Sequence, residues 1–289
     1  MRGPLYLRPK SLNEALQALV EWGERGRPLA GGTDLLVRLR QGATAPAALI
    51  DIGALNELRG WTMRGEYVVV GALTTHAQIE GDSRLEHLAP ALPAACREIG
   101  SAQIRNRGTL GGNLVNASPA GDTLPALYVL EAEIGLLSAG GLRWVPIEQF
   151  FTGPGQTVRR PDELLAWARF RAGTAGERAF FNKIGQRRAV RIAKASAAGR
   201  VLLADGVVEQ CRIALGAVAP TVIRARAAEE YLRGKPLSPT TIRQTADLAA
   251  AAVAPITDIR STQSYRRHVT AVLVARGLSA VASDEPDGR

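Results

Sequence analysis

The stretch from Gly100 to Asp122 constrains the fold more than any other part of this chain. It is rich in Gly, Asn, Ser and Thr and is longer than an ordinary connection needs, so it reads as a functional loop. Within it lies Thr109-Leu110-Gly111-Gly112-Asn113, and a second glycine pair stands far upstream in Ala30-Gly31-Gly32-Thr33-Asp34, just after an expected strand, Pro28-Leu29-Ala30. Paired glycines let backbone approach a ligand closely. Successive N–H groups in such loops form concave nests for phosphate oxygens. Two facing loops of this kind would clamp a diphosphate, with Thr33, Thr109 and Asn113 adding side-chain donors. Neither loop fits G-x-G-x-x-G or the Walker A pattern, which disfavours a Rossmann dinucleotide site and a P-loop NTPase. A glycine pair alone is more often a plain turn.

The rest of the chain supplies a frame for these loops. Ser11 and Glu14 form a capping-box pair. Leu12, Ala15, Leu16, Leu19 and Val20 then share one helical face, ended by Gly23 and Gly26. A strand is expected at 48–52 and another at 67–72. Short helices follow, one starting at Thr75 and one over 88–99. Strands over 134–137 and 142–145 pair around Ala139-Gly140-Gly141, and 163–171 forms another. Gly173 to Gly176 reads as a linker. Beyond it, strands at 201–204 and 207–215 join through Asp205-Gly206, a hairpin signal. Helices follow over 225–233, from Ser238-Pro239 onward, and around 265–276, the last stopping at Gly277. The polar segment 279–289 is expected to be a disordered tail.

Composition narrows the function. Hydrophobic residues are 46% of the 289 and charged residues 22%, which describes a folded globular chain. No apolar run approaches the roughly 20 residues of a membrane helix, and the start of the chain carries no secretory signal, so a cytoplasmic location is expected. Asn116-Ala117-Ser118 fits a glycosylation site by chance. The net charge of +9, nearly all from arginine, raises nucleic-acid binding, but the basic residues are spread out and aromatics are only 5%. Cys96 and Cys211 are the only cysteines. A [2Fe–2S] centre takes about four cysteines, so this chain holds no such cluster by itself, and no metal site is expected.

The run Ile99-Gly100-Ser101-Ala102-Gln103-Ile104-Arg105-Asn106-Arg107-Gly108-Thr109-Leu110-Gly111-Gly112-Asn113, followed by Ser118-Pro119-Ala120-Gly121-Asp122, resembles the signature of the flavin subunits of the xanthine dehydrogenase and carbon monoxide dehydrogenase family. Ala30-Gly31-Gly32-Thr33-Asp34 is similar to that family's first FAD loop. The segments 71–76, 212–220 and 265–267 also resemble it, so the likeness spans nearly the whole chain, in order. It implies an α+β chain: a two-subdomain FAD-binding fold of the vanillyl-alcohol-oxidase (PCMH) type plus a C-terminal α/β domain of the CO dehydrogenase flavoprotein type. The units would be 1–58, 59–174 and 175–278.

By the same resemblance, Ala30 to Asp34 and Thr109 to Asn113 grip the diphosphate of FAD, Leu29 is a further cofactor-binding residue, and Ile99 and Gly100 lie beside the flavin or its ribityl chain. Asp122 bonds to adenosine or ribityl hydroxyls, Leu165 makes an apolar contact, and Lys183 approaches the flavin. Read without the family, Asp122 is a helix cap and Lys183 a solvated cation. Arg105 and Arg107 are candidates for phosphate contact but are expected rather to fix the loop or a partner surface, His76 is expected to be structural, and the four tryptophans to pack. No acid–base catalytic residue is named. The implied partners are a large molybdopterin subunit and a small subunit with [2Fe–2S] clusters, and the implied acceptor is NAD⁺, a quinone or oxygen. Many relatives carry an acidic residue and an aromatic where this chain has Arg191-Ile192, which bears on how the flavin face is shielded. The competing readings are a self-contained flavin oxidase or UDP-sugar reductase of the same fold, and a basic protein for nucleic acid or anionic surfaces.

Overall fold

The computed structural model describes residues 3–186 and 192–283. The chain opens with β1 (Leu5–Leu7), α1 (Leu12–Trp22), β2 (Gly26–Leu29), α2 (Leu35–Arg40) and β3 (Ala48–Asp51). Ser11 caps α1 by accepting from the Glu14 N–H, and Ala15, Leu16 and Leu19 form its buried face. The three strands make a parallel sheet in the order β1-β3-β2. Its core is shared with Ile52, Leu55, Leu58 and Leu73.

The second unit starts with β4 (Trp61–Arg64) and β5 (Tyr67–Gly71), then α3 (His76–Glu80), α4 (Ser83–Leu88), α5 (Ala91–Arg97), α6 (Ala102–Arg107), α7 (Leu110–Asn116) and α8 (Thr123–Val129). It continues with β6 (Glu133–Ser138), β7 (Gly141–Pro146), α9 (Ile147–Phe150), the small ladder β8 (Phe151–Gly153) and β9 (Gln156–Thr157), and β10 (Leu164–Arg171). Its sheet is antiparallel, ordered β4-β5-β10-β6-β7. Thr75 and Gln78 form the expected capping box at α3. The helix expected over 88–99 is cut at both ends. α4, unforeseen, closes at Leu88, and α5 starts only after Pro90 and ends at Arg97. The expected loop from Gly100 to Asp122 is also more regular than its composition suggests, since it holds α6 and α7, capped by Ser101 and Thr109.

The last unit is β11 (Glu177–Ile184), β12 (Ala195–Ala204), β13 (Val207–Gly216), β14 (Ile223–Arg224), α10 (Arg226–Leu232), α11 (Pro239–Ala251) and α12 (Gln263–Ser283). Its sheet is antiparallel in chain order. The β12–β13 turn places Asp205 at φ 50° and Gly206 at φ 73°, the left-handed pair of a type I′ hairpin. One face of this sheet packs on α10 and α12, and the other on α5 and α8 of the preceding unit. Ala198, Ala214 and Val222 thereby join the core of the second unit. A cross-unit ion network reinforces the seam: Glu131 takes Arg212 at 2.9 Å, and Glu148 takes Arg226 at 2.6 Å and Arg224 at 3.3 Å.

Two expectations fail at the C-terminus. α12 does not stop at Gly277 but runs to Ser283, so residues 279–283 are helical and not part of a disordered tail. Gly277 is an interior packing position. A Cβ there would stand 2.2 Å from the Phe180 ring, and one on Gly199 would stand 2.1 Å from the same ring. The ring is clamped between two glycines. The remainder of the expected tail, 284–289, lies outside the described residues, as does Arg191.

Candidate functional site

A cleft of about 1060 Å³ runs between the first two units and reaches the third at Ile192. That is the upper end of the roughly 300–1,000 Å³ typical of small-molecule sites. Its walls are the loop after β2, the segment around α6 and α7, the β8–β9 ladder and the start of β10.

The first glycine loop is built for anions. Gly31 lies so close to the neighbouring loop that a Cβ would meet the Arg107 carbonyl oxygen at 1.8 Å. Gly32 has φ 74°, open to glycine without strain. The four successive N–H groups of Gly31, Gly32, Thr33 and Asp34 donate to no group of the described chain. They lead into the N-terminus of α2, where orphan amides and the helix dipole favour negative charge. Asp34 would oppose this, but its carboxylate is turned aside and accepts from Asn116 Nδ2 at 3.2 Å.

The second loop lines the same cleft but works differently from the expected nest of amides. Four of its five N–H groups, all but that of Thr109, are already spent. Leu110 donates to Thr74 O, Gly111 to Ala72 O, Asn113 to Thr109 O and Gly112 to Thr109 Oγ1. The reason is that Thr109 is the N-cap of α7, and Gly111 lies so close that an added Cβ would be 2.6 Å from Ala72 Cβ. What this loop offers is side chains. Thr109 Oγ1 accepts from Gly112 and so keeps its proton to donate. Asn113 Oδ1 accepts from Thr123 Oγ1 at 2.6 Å, which leaves its NH2 for the cleft. One wall is thus backbone amides and the other hydroxyl and carboxamide donors, a cradle for a dianion in an elongated ligand.

Of the residues singled out by sequence, Ala30 to Asp34, Ile99, Gly100, Thr109, Gly111 to Asn113, Asp122 and Leu165 line the cleft, while Leu29, Leu110 and Lys183 do not. Leu29 and Leu110 are core residues behind the loops. Lys183, on β11, has a fully buried side chain. Its ammonium donates to Asp122 Oδ2 at 2.6 Å and to Glu98 O at 3.0 Å. It therefore ties the third unit to the segment carrying Ile99 and Gly100, one layer behind the cleft. Asp122 opens α8 without a side-chain capping bond. Arg105 fixes its loop, as expected, through Glu80 at 2.7 Å and Ile99 O at 3.2 Å.

Other cleft residues were not foreseen. Arg159 donates to the carbonyls of Arg160 and Glu163, and burial, then the nearby Arg27 charge, lowers its pKa. Both arginines line the cleft. Glu163 is buried, which pushes its carboxyl up, but a two-pronged bond from Arg143 at 2.6 and 2.9 Å leaves it below the usual range. Arg159-Arg160-Pro161-Asp162-Glu163 reads as a polar turn, with no periodic signal to mark it. His76, expected to be structural, is buried in the wall with Nδ1 3.7 Å from Cys96 Sγ. Burial, then the Arg105 charge, holds it down to about 4, so it is neutral at pH 7. The tryptophans pack as expected, Trp61 bonding Asp82 at 2.6 Å and Trp144 stacking under Arg169.

Comparison with known proteins gives a consistent picture. Residues 1–169 match the family model described as the FAD binding domain in molybdopterin dehydrogenase, and residues 180–281 match the CO dehydrogenase flavoprotein C-terminal domain. The chain is 35% identical to the glyceraldehyde dehydrogenase medium chain of Sulfolobus acidocaldarius, over 96% of this chain and 98% of that one. It is 33% identical to the carbon monoxide dehydrogenase medium chain of Hydrogenophaga pseudoflava, over 95% and 96%. A crystal structure of the cyanide-inactivated Cu,Mo-CO dehydrogenase contains a chain that superposes with a TM-score of 0.94 at 30% identity, covering 98% of both.

Proposed function

The chain belongs to the family of molybdopterin dehydrogenase FAD-binding subunits, with the two-part FAD-binding fold and CO dehydrogenase flavoprotein C-terminal domain of that family, and on this premise we propose that it serves as the flavin relay of a heteromeric molybdenum hydroxylase. It is an FAD-carrying oxidoreductase subunit, and oxidation of the substrate belongs to a partner. The medium-chain relatives support assembly with a large molybdopterin subunit and a small iron–sulfur subunit. Electrons pass from the iron–sulfur partner through this chain to an external acceptor of the NAD⁺, quinone or oxygen kind. Two buried free thiols suit a reducing cytoplasm.

The observation that carries the reading is the run of uncommitted amides at 31–34 lining the same cleft of about 1060 Å³ as the Thr109 and Asn113 side chains. These groups fit FAD: the amides and the two side chains would hold its diphosphate, Ile99, Gly100 and Leu165 would flank its rings, and Asp122 would accept from its hydroxyls. When bound, FAD supplies exchange between one-electron and two-electron transfer. The chain's own residues bind and orient. Lys183 holds Asp122 in place, and His76, neutral in the wall, adds no charge near the ligand. Of the carboxylates at the wall, Glu163 is committed to Arg143, Asp122 to Lys183 and Asp34 to Asn116, and the fourth, Glu24, is exposed to solvent. This favours a relay over a self-contained flavoenzyme.

The test is titration of the flavin-free chain with FAD, FMN and riboflavin. FAD binding at least about a hundredfold tighter than riboflavin is expected, because riboflavin lacks the phosphates that take about two charge-assisted bonds. Equal affinity for the two would sink the reading.

A further inference from the structure

The third unit presents four exposed apolar side chains, one of them on the lip of the cleft. Ile259 is 96% exposed, Ile256 68%, Ile192 57% and Tyr265 40%. The segment presenting the first two is rigidly built. Asp258 Oδ1 accepts from the Arg260 N–H at 2.9 Å, the Ser261 N–H at 3.1 Å and Arg266 Nη2 at 2.8 Å. The Asp258 N–H donates to Ser261 O at 3.0 Å. Arg266 is buried and also donates to Lys194 O at 3.1 Å and Ala217 O at 2.8 Å. Lys194 Nζ in turn lies 5.3 Å from the Tyr265 ring centre, and Ile192, two residues earlier, lines the cleft. One buried guanidinium thus ties the turn that lifts Ile259 into water to the lip of the cleft. A hydrated isoleucine on a braced turn contributes nothing to this chain's own core; rigid apolar projections of this kind are interface anchors.

We propose that the Ile256–Ile259 turn, with Tyr265 and Ile192, is the docking surface for the subunit that feeds electrons into the cleft, whose matching face is an apolar pocket ringed by acidic side chains. The proposal rests on the relay reading. Two observations select this occupant. The surface is continuous with the cleft lip, where an electron donor must come close. Its collar is also cationic: Arg260 and Arg267 are exposed and Lys194 is half-buried, while Asp258, the sole acid from 252 to 268, is shared between Arg266 and Arg260 and leaves Arg267 and Lys194 in excess. A second copy of the chain would set like charges against each other.

The test uses the chain co-expressed with its molybdopterin and iron–sulfur subunits, carrying Ile259→Glu or Ile256→Glu, with Val20→Glu on exposed α1 as control. Assembly is measured by titration and light scattering, flavin reduction in the complex by stopped flow, and FAD content on each lone variant. Ile259→Glu is expected to weaken assembly at least about tenfold and to slow flavin reduction, with FAD content unchanged. Val20→Glu should match wild type. Wild-type affinity in Ile259→Glu overturns the proposal, as does a lone chain that dimerises through this turn. A lone chain that takes up no FAD yet assembles in an Ile259-dependent way sinks the relay and leaves the docking surface supported.

Discussion

Gly31→Ala tests the cradle directly. An added Cβ would stand 1.8 Å from the Arg107 carbonyl oxygen and 2.6 Å from its carbon, whereas ordinary contact begins near 3.4 Å. The obstacle is backbone, which cannot swing aside, so the loops must part by about 1.6 Å. A hydrogen bond of about 2.9 Å does not survive that separation, and the amides of 31–34 can no longer share a ligand with Thr109 and Asn113. Losing about two charge-assisted bonds, at about 1.5–3 kcal/mol each, weakens FAD binding by about 10²–10⁴-fold. The assay is flavin fluorescence quenching on titration, paired with the FAD-induced rise in Tm. Gly140→Ala is the control, since its Cβ would find only Ser138 Oγ at 3.6 Å. A folded Gly31→Ala protein that binds FAD within about threefold of wild type would refute the argument.

Three further outcomes are expected. Gly277→Ala should destabilise, although alanine favours a helix interior by about 1 kcal/mol, because overpacking against the clamped Phe180 ring costs about 1–3 kcal/mol; calorimetry should show a lower Tm, largely restored by adding Phe180→Leu. His76 has its pKa held below the unfolded value, so its contribution is complete above pH 6.5 and is lost as pH falls toward about 4, a drop of about 3 kcal/mol; His76→Asn should flatten the stability profile across that window in denaturant titrations. Lys183→Met removes both charge-assisted bonds of a fully buried ammonium and should cost about 3 kcal/mol of stability, with FAD release accelerated, whereas a purely solvated lysine would leave both unchanged.

How much of this was legible in the sequence depends on what stabilises each part. α1, the α3 capping box and the Asp205-Gly206 hairpin were readable because local chemistry fixes them. α6 and α7 were not, because helices of six and seven residues with glycines and asparagines are marginal alone and persist through tertiary contacts such as Gly111 on Ala72. Gly277 has the composition of a helix stop, and only the Phe180 ring, far away in sequence, shows why a glycine sits mid-helix. The same applies to the site. Gly31 and Gly32 were visible as a pair, but their partner loop acts through side chains because its amides close bonds to Ala72 and Thr74. Lys183 was visible as a position, whereas its place behind Asp122 depends on how β11 packs on α5, at whose end Glu98 O takes the same ammonium.

The sheet of the third unit, with helices from both sides of residue 174 on its two faces, has a practical consequence. A gene cut at that point would yield two fragments, each baring half of an apolar seam: α5 and α8 on one piece, Ala198, Ala214 and Val222 on the other. Neither would be expected to stay in solution by itself. Cofactor loading and subunit assembly, though assigned to different parts of the polypeptide, are therefore inherited as a single package that recombination cannot shuffle piecemeal.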